Sequence, residues 1–302
     1  MKIIFSRKGL DSSFGKLSSA VLPDGTLYWL PIYDHSKDDR LPNYSDIEYC
    51  NVNAEKLISE LSDGDCSKYL KPHIDPDIYS MYLPRADGWK AAFGQSDSSQ
   101  GHLENEQVSV GDIFLFFAWF RSASLSVKGY KYDKYINAHI INGWLQIGEI
   151  IKPEVDNVPS WLNKHPHIIR NLNGVNNTIY VAADNLTING VNTSLPAAGY
   201  FSKISDDLVL TADGKSRSNW RLPKWFYPTK GRKPMSYHGD MRRWTICEDC
   251  VMLKSVDKGQ EFVLDCDYYP EAAGWLKNLF ESQNLNGNLC GSADKILNKV
   301  SI

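Results

Sequence analysis

A chain of 302 residues, 42% hydrophobic and 23% charged, holds one large domain or two ordinary ones and excludes a low-complexity or repeat protein. Six cysteines at this length do not make a disulfide scaffold, and the longest apolar run, residues 113–120, is too short to span a bilayer, so a soluble cytoplasmic protein with reduced thiols and no membrane partner is expected. The net charge of −3 hides an asymmetry: Lys215 to Trp244 carries nine Lys or Arg against one acid, Asp240, which leaves the rest of the chain at −11.

In chain order, "KIIF" reads as a buried strand, with no signal-peptide pattern, and it runs into the polar "SRKGLDSS". "AVLPDGTLYWLPI" places a Pro-Asp-Gly turn between two apolar runs, a hairpin signal. Asn53 to Gly64 predicts a helix capped by Asn53, with Leu57, Ile58 and Leu61 on one face. Residues 65–108 read as a long, ordered loop rich in Trp, Tyr and His. "VGDIFLFFAWF" and "HIINGWLQIGEIIKP" are two core strands, with the Tyr-rich stretch between them as their connection. "NTIYVAA", "NLTING", "GYFSKI", "LVLTADG" and "GQEFVLD" follow as short strands at the spacing of a barrel or sandwich. Pro270 to Gln283 predicts a terminal helix. No linker divides the chain, so a single domain over 1–302 is expected.

Several constellations can carry chemistry. In the basic strip, cations alternate with Trp220, Trp225, Phe226, Tyr227, Tyr237 and Trp244, as a nucleic-acid surface requires; the alternative is a solvated face whose rings are core. Arg217 and Arg221 are its candidates for bidentate phosphate contacts. In "FGQSDSSQGHL", Gln95 and Gln100 each offer a donor and an acceptor, and His102 titrates near neutral pH; taken alone, the stretch reads better as a surface turn. Arg7, Lys8 and Asp11 flank a Gly that suits an anion-binding turn, although the spacing is not that of a P-loop. "HIDPD" at 73–77 offers acid–base or metal chemistry, or a Pro-containing turn, and "HPH" at 165–167 reads similarly, the turn being favoured. "HLE" and "CEDC" imitate the halves of a zinc deaminase signature, but Ile246 stands where that signature needs Pro. A structural zinc at His238, Cys247, Cys250 and Cys266 rests on a lone Cys-x-x-Cys, and neither a metal nor another cofactor is assigned.

Together, "KIIFSRKGLDSS", "LPDGTLYWLPI", "HIDPD", "FGQSDSSQGHL", "GDIFLFFAWF", "HIINGWLQIGEI", "NTIYVAA", "SRSNWRLPKWF", "SYHG" and "GQEFVLD" resemble the third nucleotide-modification-associated domain family over residues 2–265. "VSVGDIFLFF" with "INGWLQIGEIIK" is also similar to the paired strands of PUA-like (ASCH and EVE) domains. The resemblance implies a β-rich α+β fold around a PUA-like barrel at roughly 105–265 with a few peripheral helices, beside the C-terminal helix read from the residues at roughly 270–283. It implies activity on a modified purine-like base in DNA, with DNA and the products of neighbouring modification genes as partners. The concrete expectation is hydration of the nitrile of 7-cyano-7-deazaguanine to the carboxamide. The alternatives are a non-catalytic reader of modified bases and a structural subunit of a modification complex. Asp11, Asp75, His102 and Glu261 are the expected acid–base residues. Ser6, Arg7, Gln95, Gln100, Arg217, Trp220, Arg221, Tyr237, His238 and Gln260 are the expected base- and nucleic-acid-binding residues.

Overall fold

The computed structural model describes residues 1–11, 17–64, 71–170, 175–257, 259 and 261–282. The predicted Gln260, and the Ser12 and Ser13 of the first motif, lie outside them.

The chain begins with β1 (Lys2–Arg7) and the predicted hairpin of β2 (Ser19–Val21) and β3 (Leu27–Tyr28), whose turn is held where Asp24 accepts from the Thr26 N–H at 3.0 Å. A second small hairpin, β4 (Glu48–Tyr49) and β5 (Val52–Asn53), leads into α1 (Ala54–Leu61). The Asn53 side chain caps α1 by accepting from the Lys56 N–H at 3.2 Å, and Ala54, Leu57, Ile58 and Leu61 are buried.

The stretch expected to be one long loop is where the sequence reading departs most from the structure. It contains β6 (Ala92–Gln95) and α2 (Asp97–Asn105), so the Gln-rich segment is a strand end followed by a helix. Only Gln100 and Leu103 of α2 are buried, too narrow an apolar stripe to signal a helix by periodicity. Next come β7 (Ile113–Ser126) and β8 (Gly129–Ile151), which absorb the Tyr-rich "connection" as paired strand. A short α3 (Pro166–Ile169) precedes β9 (Thr178–Ala182), β10 (Asn185–Ile188), β11 (Val191–Pro196) and β12 (Ala198–Tyr200). "LVLTADG" forms no strand; it starts on the last residue of a one-turn 3-10 helix at Asp206–Leu208 and makes isolated bridges, Val209 to Ile140 and Thr211 to Trp220. The basic strip supplies β13 (Asn219–Pro223) and β14 (Trp244–Ile246), which flank β15 (Cys250–Lys254). The chain closes with β16 (Glu261–Asp265) and the predicted terminal helix, α4 (Glu271–Ser282).

The fold is α+β and dominated by strand. Its main sheet runs β16-β1-β7-β8-β9-β6, with β12 added on β8 and the β2–β3 hairpin on β7. β1 and β2 lie parallel to β7, and the other pairs are antiparallel. β7 is apolar at nearly every position from Ile113 to Phe120 because both of its faces are covered. Register shifts at Phe116/Phe117, Arg121/Ala123 and Ile147/Glu149 mark bulges, which bend strands and let a sheet curl. The result is a half-barrel whose outermost strands, β6 and β16, are joined by a side-chain bond from Gln95 to Glu261. Strands from residue 2 to residue 265 therefore build this sheet, with β1, β2, β3 and β6 joining the 105–265 stretch.

The excess of Tyr is explained by the core. Tyr79 stacks on Trp29, Tyr82 and Tyr200 at 5.0, 4.6 and 4.8 Å between centroids. Such rings bury large areas, and their hydroxyls find partners: Tyr82 donates to the Trp29 carbonyl, and Tyr79 shares a bond with Asn142. Among the described residues no helix is long and apolar enough to cross a membrane.

Candidate functional site

β1 and β16 pair so that Ser6 stands opposite Glu261. Alternation along the chain then puts Ser6 and Lys8 on one side and Arg7 on the other. On the first side, Glu261 is 1% exposed and collects three partners on one oxygen. Lys8 Nζ lies at 3.0 Å, the Gln95 amide donates at 2.5 Å and the Ser6 hydroxyl donates at 3.3 Å. Lys8 is only 10% exposed and sits 4.5 Å from the centre of the Phe93 ring. A charge pair this far from water survives because each member satisfies the other and the amide and hydroxyl add further bonds.

The rim of this centre comes from α2 and from the turn at Ser236 and Tyr237, which precedes β14 in the chain. His102 Nε2 lies 3.0 Å from the Ser236 hydroxyl, which also accepts from the Val263 N–H of β16 at 2.8 Å. The His102 ring is 4.3 Å from that of Tyr237. Tyr237 is 50% exposed and has φ of 63°, a left-handed conformation that costs a non-glycine residue about 1–3 kcal/mol. A strained, half-exposed ring close enough to feel the charge of a buried carboxylate is suited to stacking. Burial lowers the His102 pKa against the opposing charges of Glu106 and Glu261, and burial raises that of Tyr237, helped by Glu261. Gln100 points inward, where its carbonyl accepts from the Tyr180 hydroxyl at 2.9 Å.

On the other side of β1, Arg7, Arg121 and Arg217 converge. Burial lowers the Arg217 pKa, and the charges of Arg7 and Arg121 add to that, against Asp11 and Asp257. Arg217 lies over the Trp119 ring at 3.9 Å and Arg121 over Tyr132 at 3.8 Å. Arg7 is anchored to the carbonyls of Asp257 and Gly259 at 2.9 and 3.0 Å. This is a cationic, ring-backed surface beside Asp11, of the kind that phosphates need.

Other expected residues are placed elsewhere. Trp220 is fully buried, packed against Phe5 and Phe117, and its indole N–H donates to His139 at 3.0 Å. It is a core ring, because on β13 its side chain faces the main sheet while Arg221 faces out. Arg221 pairs with Asp249 at 2.7 Å and lines a separate cleft with Lys215 and Asp213. His238 is also fully buried: Nδ1 lies 2.8 Å from the Ser236 carbonyl and Nε2 accepts from the Val256 N–H. Both nitrogens are thereby spent, and burial holds its pKa down to about 4. Cys247 and Cys250 occupy the β14–β15 turn, whereas Cys266 follows β16 beside Met1, so the four suggested zinc ligands do not assemble.

Asp75 is not part of the Glu261 centre. It lies on the other side of β6, where its Oδ1 accepts from the Gly94 N–H at 2.8 Å, and His73, His165 and His167 surround it. Burial acts to raise its pKa, but the His167 contact and the neighbouring His165 and His73 outweigh this and hold the carboxyl well below the usual range. Gly94 makes room here, since a Cβ would stand 2.4 Å from the His167 ring. Sequence reasoning named Asp75 but missed its company. The signal lay in "HIDPD" and "HPH", each of which sets a second potential ligand, an Asp or another His, two residues from a His.

A family model described as nucleotide modification associated domain 3 matches residues 2–265. The chain belongs to that family. Membership in nucleotide modification associated domain 3 places this chain in nucleic-acid base modification and fits a nucleic-acid partner. The match spans both the Glu261 centre and the Asp75 cluster, and it ends at the last residue of β16. No curated protein and no solved structure gave a significant match.

Proposed function

We propose that the chain is an enzyme that modifies a base in DNA, with the reacting group of the base brought to Glu261 and Lys8. The observation that carries this reading is the buried Glu261–Lys8 pair, closed in by Gln95 and Ser6, near the strained and half-exposed Tyr237. Tyr237 offers a ring for the base to stack on, and the Arg7–Arg121–Arg217 surface offers cations for the backbone of a flipped-out nucleotide.

The specific reaction we propose is hydration of the nitrile of 7-cyano-7-deazaguanine. Water oxygen bonds to the nitrile carbon while one C–N π bond opens. Glu261 takes the proton from that water, and Lys8 donates to the nitrogen where negative charge develops. Protonation of that nitrogen and a shift of the remaining hydroxyl proton give the carboxamide, so water is the only reactant consumed. The gene context implied by the family resemblance supports the choice of nitrile.

A second reading is a non-catalytic reader with a PUA-like pocket. It is favoured by the saturation of Glu261 Oε1, whose three partners leave that oxygen little capacity to act as a base. Nucleoside mass spectrometry separates the two. Incubation with DNA carrying 7-cyano-7-deazaguanine should add the mass of one water to that nucleoside and none to unmodified DNA, and Glu261→Gln should abolish the gain. No mass change with folded protein that binds the modified DNA would replace the enzyme with the reader.

A further inference from the structure

We infer that His73, Asp75 and His167 form a binding site for a divalent transition-metal cation, separate from the Glu261 centre and on the opposite side of β6. Each of the three offers one ligand atom, and these atoms lie within 4.8 Å of one another, all in buried residues.

The hydrogen bonds fix which nitrogens are available. His73 Nδ1 lies 2.9 Å from the Asp34 carboxylate, so Nδ1 carries the proton and Nε2 presents a lone pair. His167 Nδ1 lies 2.7 Å from the Asn177 carbonyl oxygen, and the Asn177 amide donates back to the His167 carbonyl at 3.0 Å, which fixes the orientation of that amide. His167 Nε2 therefore presents a lone pair as well. Both lone pairs point toward the same oxygen, Asp75 Oδ2, from 3.8 and 3.4 Å. Three acceptors facing one another repel unless something positive lies between them. A shared proton would draw a pair to hydrogen-bond length, roughly 2.7–3.2 Å, and neither separation is that short. A metal bound at about 2.0–2.1 Å needs neighbouring ligand atoms about 3–3.5 Å apart; the separations of 3.4 and 3.8 Å, in a set that falls within 4.8 Å, need a contraction of a few tenths of an ångström to about 1 Å to reach it.

The surroundings match a metal site. A carboxylate on the far nitrogen of one ligand His and an amide oxygen on that of the other are the outer partners that orient metal-binding imidazoles. The third imidazole plays a different part. His165 Nδ1 accepts from the His167 N–H at 3.3 Å, which puts its proton on Nε2, and that buried nitrogen has no hydrogen-bond partner while lying 3.6 Å from Asp75 Oδ1. It is a donor aimed at the cluster rather than a ligand. Three protein ligands leave coordination positions for water or substrate. His165 is also the link to solvent, since it lines a cleft of about 1060 Å³ together with Arg40, Lys71, Lys164 and Trp161. Two imidazoles and one carboxylate suit Zn²⁺ or Fe²⁺ and disfavour Mg²⁺ and Ca²⁺, which take oxygen ligands.

The test is titration of the chelator-stripped full chain with Co²⁺, followed by visible absorption and calorimetry. The expected result is one equivalent bound, with d–d absorption that Zn²⁺ bleaches and Mg²⁺ does not. His73→Gln and His167→Gln should each remove binding, Asp34→Ala should weaken it ten- to a hundred-fold, and Glu261→Gln should leave it unchanged. X-ray absorption of the Zn²⁺-loaded, unsubstituted chain should show imidazole and oxygen ligands, and this measurement holds even if the His variants fail to fold. No stoichiometric binding to folded protein, or sulfur in the metal shell, which would place the ion at Cys247 and Cys250, would overturn the inference.

Discussion

The Lys8–Glu261 pair should behave as one energetic unit, and a double-mutant cycle measures it. At 3.0 Å and an effective dielectric of about 20, the two charges attract by about 5–6 kcal/mol, against the cost of taking both out of water. Lys8→Met strips Glu261 of its counter-charge while leaving it 1% exposed, so destabilisation of about 3–5 kcal/mol is expected. Glu261→Gln should cost less, because Lys8 retains the Phe93 ring and some contact with water. The double variant should be more stable than the sum of the single losses predicts, by about 2–3 kcal/mol. Urea denaturation gives each value, read as a shift in midpoint at constant slope. A coupling below about 0.5 kcal/mol would show that the pair is not a unit and would remove the reasoning that joins the two residues in one site.

Acid should weaken the fold through its buried histidines. Burial holds His139 down to about 3 and His238 to about 4, so both fold neutral while the unfolded chain binds a proton near 6.5. Their contribution is complete above that value and is lost as pH falls toward 4 and 3, by about 2 kcal/mol each at pH 5; equal urea midpoints at pH 7 and pH 5 would contradict this. Trp220→Phe should cost about 1–3 kcal/mol by orphaning His139, yet leave DNA affinity unchanged in a filter-binding assay; a large loss of affinity at full folding would restore Trp220 to the interface. Arg217→Ala should weaken DNA binding and reduce its salt slope by about 1, and an unchanged slope would remove the arginine cluster from the DNA path. Gly94→Ala should cost about 1–3 kcal/mol and lower Co²⁺ affinity, because the new methyl must displace His167; unaltered affinity would detach that ring from the metal site.

Much of this architecture could be read from the sequence because the signals were local. The Asn53 cap, the Pro-Asp-Gly turn and the apolar run from Ile113 to Phe120 each act through neighbours in the chain. α2 escaped because only Gln100 and Leu103 are buried, a single apolar side chain among them, and its polar surface reads as loop. Trp220 was misjudged because composition cannot tell which face of a strand meets the core, and β13 puts Trp220 inside and Arg221 outside. Glu261, Gln95 and Ser6 were each named from motifs, but their meeting depends on the curl of the sheet. The histidine cluster was hidden for a similar reason. His73 is a near neighbour of Asp75 in the chain, but His167 comes to it where α3 packs on β6 at a glycine.

The Glu261 seam also sets a timetable for the chain's own synthesis. Ser6 and its partner are 255 residues apart in sequence, and β1 lies inside the sheet between a strand made much later and one made near the end. At 5–20 residues per second, Lys8 waits roughly 10–50 s on the ribosome before its counter-charge is made. Until then it has reason to remain in water, and the closing edge of the sheet stays open to other strands. No nascent fragment that stops short of β16 can assemble the centre.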